Sequence, residues 1–141
     1  MEKEKYPINS FSWEVLTPTV AVKRMDKSAF IHNGTGIPKE ISFFFGLPPE
    51  GMSDSRTAVL ICDGQKFLAH FQMDSIRTRY RLFWKSDFSE TIRKKFPDFH
   101  AAFSGNPFNF LEEPLMRFEK LGEDEYLINL ILDSVIRSDS E

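Results

Sequence analysis

The sequence predicts a mainly β domain with two short helices, an α+β chain arranged as a seven-stranded, closed or partly closed barrel with the helices at its ends. Three observations predict it. Alternating and β-branched runs of about five to eight residues recur along the chain, separated by turn residues. Only two stretches carry a helical start and stop. Twenty of the 141 residues are aromatic, including 15 Phe. That is enough to fill one compact core and to exclude disorder for the body of the chain.

Residues 1–10 are polar and read as a lead-in. Phe11 to Met25 reads as strand, turn and strand, broken at Thr17-Pro18. Asp26 to Gly36 reads as a polar connection in which Ala29-Phe30-Ile31 could form a short strand. Pro38 suits the first residue of a helix that runs through Lys39-Glu40-Ile41-Ser42-Phe43-Phe44-Phe45 and stops at Gly46. Leu47 to Ser55, with Pro48-Pro49 and Gly51, is a loop. Thr57–Cys62 and Gln65–Gln72 are strands joined at Asp63-Gly64, a strong two-residue hairpin pair. Arg77 to Trp84 alternates, with Arg77, Arg79, Arg81 and Phe83 on one face and Thr78, Tyr80, Leu82 and Trp84 on the other. Asp87 and Glu90 form a capping-box pattern. Phe88, Ile92 and Phe96 then follow at helical spacing, and Pro97 ends the helix. Phe110–Glu119 and Glu125–Val135 are the last two strands, turning at Gly122. The domain is expected over residues 11–136, with 137–141 a polar tail.

The net charge of −3 hides an uneven distribution. Glu112 to Glu141 holds nine acids and three bases, a net of −6, so residues 1–111 carry +3. Lys23 to Lys39 holds four bases against Asp26 alone. Arg77 to Lys95 holds seven bases against Asp87 and Glu90. Clustered cations of this kind suit a polyanionic partner. Three arginines alternating on one strand face repel each other unless a counter-charge arrives, and DNA phosphate is a natural one. Arginine also forks onto guanine O6 and N7 in the major groove. Lys23, Arg24, Lys27, Ser28, His32, Asn33 and Thr35 mix cations with small hydrogen-bonding groups, a mixture suited to phosphate contact and base reading.

Catalytic chemistry is not indicated. The sequence has no glycine-rich phosphate loop and no nucleophile elbow. His32, His70 and His100 lack metal-ligand spacing, and Cys62 falls within an apolar strand. No Glu-x-Lys or Asp-x-Lys follows Pro97-Asp98 to complete a metal-dependent nuclease site. No cofactor or metal is expected. No apolar run reaches the roughly 18 residues of a membrane helix. A soluble, cytoplasmic domain with no membrane partner is the expectation.

Leu16-Thr17-Pro18, then Gly36-Ile37-Pro38-Lys39-Glu40-Ile41 running into Phe43-Phe44-Phe45, resembles the opening of the B-three type DNA-binding domain of plant transcription factors. Asp63-Gly64, Arg81-Leu82-Phe83-Trp84 and Asp87-Phe88 match its middle in order, and Leu115–Ile131 resembles its closing strand pair. The Gly34-Thr35-Gly36-Ile37-Pro38 version is closer to the DNA-recognition domains of EcoRII-like bacterial restriction endonucleases, which share this open pseudobarrel. The resemblance implies a sequence-specific reader of double-stranded DNA, with two arms gripping the major groove. It would be the target-recognition part of a restriction endonuclease or related defence protein, partnered by a catalytic nuclease domain or subunit. The first arm would carry Lys23, Arg24, Lys27, Ser28, His32, Asn33, Thr35 and Lys39. The second would span Gln72 to Arg81, with Ser75, Arg77, Thr78 and Arg79 foremost. The alternative is a small β-barrel protein-interaction module using an aromatic patch of Phe99, Phe103, Phe108 and Phe110.

Overall fold

The computed structural model describes residues 6–73, 79–99 and 112–134. Nine strands form one curled sheet: β1 (Ile8–Ser10), β2 (Trp13–Thr17), β3 (Val20–Arg24), β4 (Gly34–Ile37), β5 (Arg56–Cys62), β6 (Gln65–Met73), β7 (Tyr80–Trp84), β8 (Glu112–Gly122) and β9 (Glu125–Ser134). Their order across the sheet is β1-β2-β3-β8-β9-β5-β6-β7-β4. All neighbours are antiparallel except β5 and β9, which pair parallel from Val59↔Glu125 to Ile61↔Leu127. The sheet ends at β1 and β4 rather than closing, so it is a half-barrel of nine strands, not a seven-stranded barrel.

Two strands come from segments read as polar. β1 lies in the expected lead-in, paired with β2 from Ile8↔Val15 to Ser10↔Trp13. β4 lies in the expected connection, paired with β7 from Gly34↔Phe83 to Ile37↔Tyr80. Gly34 is needed there. A Cβ at that position would stand 2.6 Å from the Leu82 carbonyl oxygen, closer than two backbones allow with a side chain between them. The Asp63-Gly64 hairpin has the expected left-handed pair, φ 52° and 79°.

Three short helices lie between the strands among the described residues, and residues 97–99 are helical as well. Ala29-Phe30-Ile31 is helical, not a strand, within α1 (Lys27–Ile31). The Asp26 carboxylate accepts the Ala29 N–H at 3.3 Å and its carbonyl accepts the Phe30 N–H at 3.2 Å, so an N-cap starts the turn. The helix expected after Pro38 is a 3-10 helix, Lys39–Phe45, closed by Gly46 at φ 68°. Arg56 satisfies its last carbonyls, donating to Phe45 O at 2.6 Å and Gly46 O at 3.1 Å. α2 (Ser86–Lys95) starts before the expected capping box. Lys85 is its N-cap residue, and the Asp87 carboxylate accepts the adjacent Phe88 N–H at 2.7 Å.

The core has two aromatic foci. Phe45 meets Trp13 (5.6 Å), Phe44 (5.0 Å), Phe71 (5.3 Å), Phe118 (5.7 Å) and Tyr126 (5.5 Å) between ring centroids. The 3-10 helix thus inserts its rings into the concave face of the sheet. At the other focus, Phe88 meets Phe67 (5.0 Å) and Trp84 (5.3 Å), fastening α2 to β6 and β7. Phe45→Ala removes the shared ring of the first focus and should cost about 3–5 kcal/mol. Gly34→Ala forces β4 off β7 and should cost about 1–3 kcal/mol. Denaturant unfolding of each variant measures both losses.

Candidate nucleic-acid interface

The open seam between the two sheet ends is where the basic segments meet. β4 belongs to the first and β7 to the second, and their ladder sets Gly36 opposite Arg81. The Trp13 indole N–H on β2 donates across the seam to the Gly36 carbonyl on β4 at 3.0 Å, and Ser10 Oγ on β1 donates to Glu40 Oε1 of the 3-10 helix at 3.0 Å. Beside it opens a cleft of about 240 Å³. Phe11, Ser12, Trp13, Lys23 and Asp26 line one side, and Gly36, Pro38, Arg79 and Arg81 the other. Three of these residues are cations and one is an acid, so a net positive field fills the cleft.

The expected site residues divide into distinct environments. Arg79 is exposed at the bend before β7 and borders a second cavity of about 370 Å³, together with exposed Lys39 at the start of the 3-10 helix. Arg81 is half-buried, its guanidinium 5.5 Å from the Phe83 ring centroid. The acids of residues 112–134 that form ion pairs among the described residues do so with Arg24, Arg56 and Arg117, none with Arg79. None of these described acids therefore neutralises Arg79.

Lys23 is buried to 3% exposure. Its ammonium donates to Ser12 Oγ at 2.5 Å and Asp26 Oδ2 at 3.2 Å. Burial lowers its pKa, the Asp26 carboxylate opposes that shift, and Arg24 and Arg81 add weaker repulsion. Thr35 is also buried, with its hydroxyl 3.4 Å from the Gly36 carbonyl. Asn33 is exposed at φ 56°, but its side-chain amide oxygen Oδ1 accepts from Ser89 Oγ at 2.5 Å, and the Trp84 indole donates to that same hydroxyl at 3.0 Å. These contacts tie the α1–β4 corner to α2.

Arg24 is exposed on β3, its Nε 3.9 Å from Glu113 Oε1. His32 is exposed beside Asn33. Gln72 is exposed on β6, its amide oxygen 3.2 Å from His70 Nε2. Lys27 and Ser28 lie in α1. Ser75, Arg77 and Thr78 lie outside the described residues, in the connection between β6 and β7.

Phe99 is buried rather than part of an exposed patch, 6.1 Å from the Phe96 ring centroid; Phe103, Phe108 and Phe110 lie outside the described residues. Cys62 is buried, and burial, then the Asp63 carboxylate, push its thiol up to about 11. It is a protonated core residue at neutral pH, not a nucleophile. Among the described residues no three His, Cys, Asp or Glu side chains gather to hold a metal, and no helix is long and apolar enough to cross a membrane.

Phe11, Ser12, Trp13, Gly36 and Pro38 line the cleft without having stood out as site residues. The missed cue is the Phe11-Ser12 pair, a two-residue turn between β1 and β2 in a place where glycine or asparagine is usual.

Trp13→Phe keeps a ring in the core but removes the indole donor, leaving the Gly36 carbonyl only the longer Thr35 hydroxyl contact. It should cost about 1–3 kcal/mol and speed hydrogen exchange of the β4 amides more than those of β5 and β6. Uniform acceleration across the sheet would remove the seam bond from this role.

No protein-family model matches the chain, and no curated protein sequence matches it. Among solved structures it is similar to the N-terminal domain of Helicobacter pylori LlaJI.R1. The TM-score is 0.53 and the identity 12%, over 86% of this chain and 88% of that one. At this identity the likeness is one of fold: the chain shares the curled β architecture of that domain.

Proposed function

We propose that the chain is a sequence-specific double-stranded DNA-binding domain that sets its open seam into the major groove. It acts by recognition, with cleavage left to a separate nuclease domain or subunit of a restriction-modification protein. The observation that carries this reading is the convergence of two basic segments, remote in sequence, on the β4–β7 ladder, with Arg79 and Lys39 exposed at its end. The fold likeness to a domain of a restriction-modification protein supports the same reading.

The residues have different tasks in it. Arg79 and Arg81 face base edges, where a guanidinium can fork onto a guanine. Lys39, Arg24, Lys27 and Ser28 hold phosphates and set the register. Arg77, Ser75 and Thr78 extend the second arm, and His32 and Gln72 stand at the edges of the footprint. Lys23, Thr35 and Asn33 shape the arms from within. Lys23 fixes the β1–β2 turn and Asn33 fixes the approach to β4.

Selection from random duplexes, followed by anisotropy titration of the recovered sequence, tests the proposal. A short motif should be enriched, and binding should weaken with salt at a log–log slope near −0.9 per phosphate neutralised. Arg79→Ala should cost about 1–3 kcal/mol on the selected duplex and little on others. Lys39→Ala should weaken every duplex alike and reduce the salt slope by about 1. A flat salt response would overturn the DNA reading. Salt-sensitive binding with no motif would reduce it to phosphate gripping.

A further inference from the structure

Phe11 is the most exposed large apolar side chain among the described residues, at 83%. It is also held in a conformation its side chain disfavours. Four non-glycine residues have positive φ among the described residues, and three are Asn33, Asp63 and Asp124. Asn and Asp tolerate that region through short polar side chains. Phe11, at φ 56°, is the exception. It is the first residue of a two-residue hairpin turn, where glycine or asparagine would remove the strain.

The turn is pinned from beneath. The buried Lys23 ammonium donates to Ser12 Oγ at 2.5 Å, and the Arg24 N–H donates to the Ser12 carbonyl at 2.8 Å. The ring therefore stands on a rigid mount at the rim of the cleft that also holds Arg79 and Arg81. A strained, solvent-exposed ring on a fixed mount costs stability in the free protein and contributes nothing to its core. Strain of this kind concentrates at binding sites.

We infer that Phe11 is a specificity-determining residue whose ring meets the C5-methyl group of a pyrimidine at the major-groove edge. This assignment rests on the DNA-binding reading. A cationic cleft brings the duplex to the ring, and a pyrimidine methyl is the apolar feature of that groove. Thymine and 5-methylcytosine both carry it.

Phe11→Gly isolates the ring, because the variant relieves the turn and removes no core contact. Thermal unfolding and anisotropy titrations would compare it with the unaltered chain. The probes are the selected duplex, a copy with uracil in place of thymine, and a copy with 5-methylcytosine in place of cytosine. The variant should melt a few degrees higher and bind the best duplex about tenfold more weakly, with an unchanged salt slope. Loss of the methyl that the ring meets should weaken the unaltered chain about fourfold and the variant not at all. Sensitivity to uracil assigns thymine, and a gain with 5-methylcytosine assigns the modified base.

Equal binding of the two proteins would overturn the assignment and leave the DNA reading standing. So would a methyl effect common to both proteins or absent from both, or a salt slope altered by one unit or more. Failure of the unaltered chain to bind any duplex would overturn the DNA reading and this assignment together.

Discussion

An open sheet must cover its concave face or unroll, and here Phe45 is what covers it. Its ring lies against rings from β2, β6, β8 and β9 at once. Each edge-on or tilted aromatic pair adds about 0.5–1.5 kcal/mol beyond the area it buries. The position of the cleft follows from this cluster. Trp13 touches Phe45 with its ring and bonds Gly36 with its indole N–H. Gly36 stands opposite Arg81, and Arg79 follows at the neighbouring bend. The core focus and the basic seam are thus two ends of one short chain of contacts. Arg56, bonded to the last carbonyls of the 3-10 helix and paired with Asp124 at 3.1 Å, anchors the far side of that chain.

Charge is partitioned by burial. Lys23 has the sequence context of a phosphate contact, yet its ammonium is spent on Ser12 and Asp26. A buried ammonium needs such partners, because desolvation otherwise drives it toward the neutral form. Arg79, exposed and without an acidic neighbour in ion-pair range among the described residues, keeps its charge available to an incoming anion. The first cationic segment therefore supplies an internal strut, and the second an external handle. The described acids of β8 and the β8–β9 turn pair elsewhere: Glu113 with Arg24 at 3.9 Å, Glu119 with Arg117 at 3.2 Å and Asp124 with Arg56 at 3.1 Å.

The long elements were legible because apolar runs bounded by turn residues dominate them. β7 was read from its period-two run, β5 and β6 from the hairpin pair between them, β8 and β9 from the turn at Gly122, and the Phe88, Ile92 and Phe96 spacing located α2. Short elements built from polar or glycine residues were not. Ile8-Asn9-Ser10 has too little apolar content to read as a strand, and it pairs only because β2 lies beside it. Gly34-Thr35-Gly36 has the composition of a loop, yet close backbone approach to β7 requires those small residues. Ala29-Phe30-Ile31 has strand composition, and the Asp26 cap overrides it. The two basic segments were legible as charge, but their convergence was not, since it depends on β4 pairing with β7. Phe11 passed as the start of a strand because an unfavourable φ leaves no trace in composition.

The central claim is that one face, the seam between β1–β3 and β4–β7, receives the duplex. Backbone amide chemical-shift mapping on addition of the selected duplex tests it most directly. The account predicts the largest changes at Phe11, Ser12, Gly36, Lys39, Arg79 and Arg81, with residues of the β5–β6 hairpin such as Lys66 and Leu68 unmoved. Changes centred on that hairpin, or on α2 with the seam silent, would contradict it.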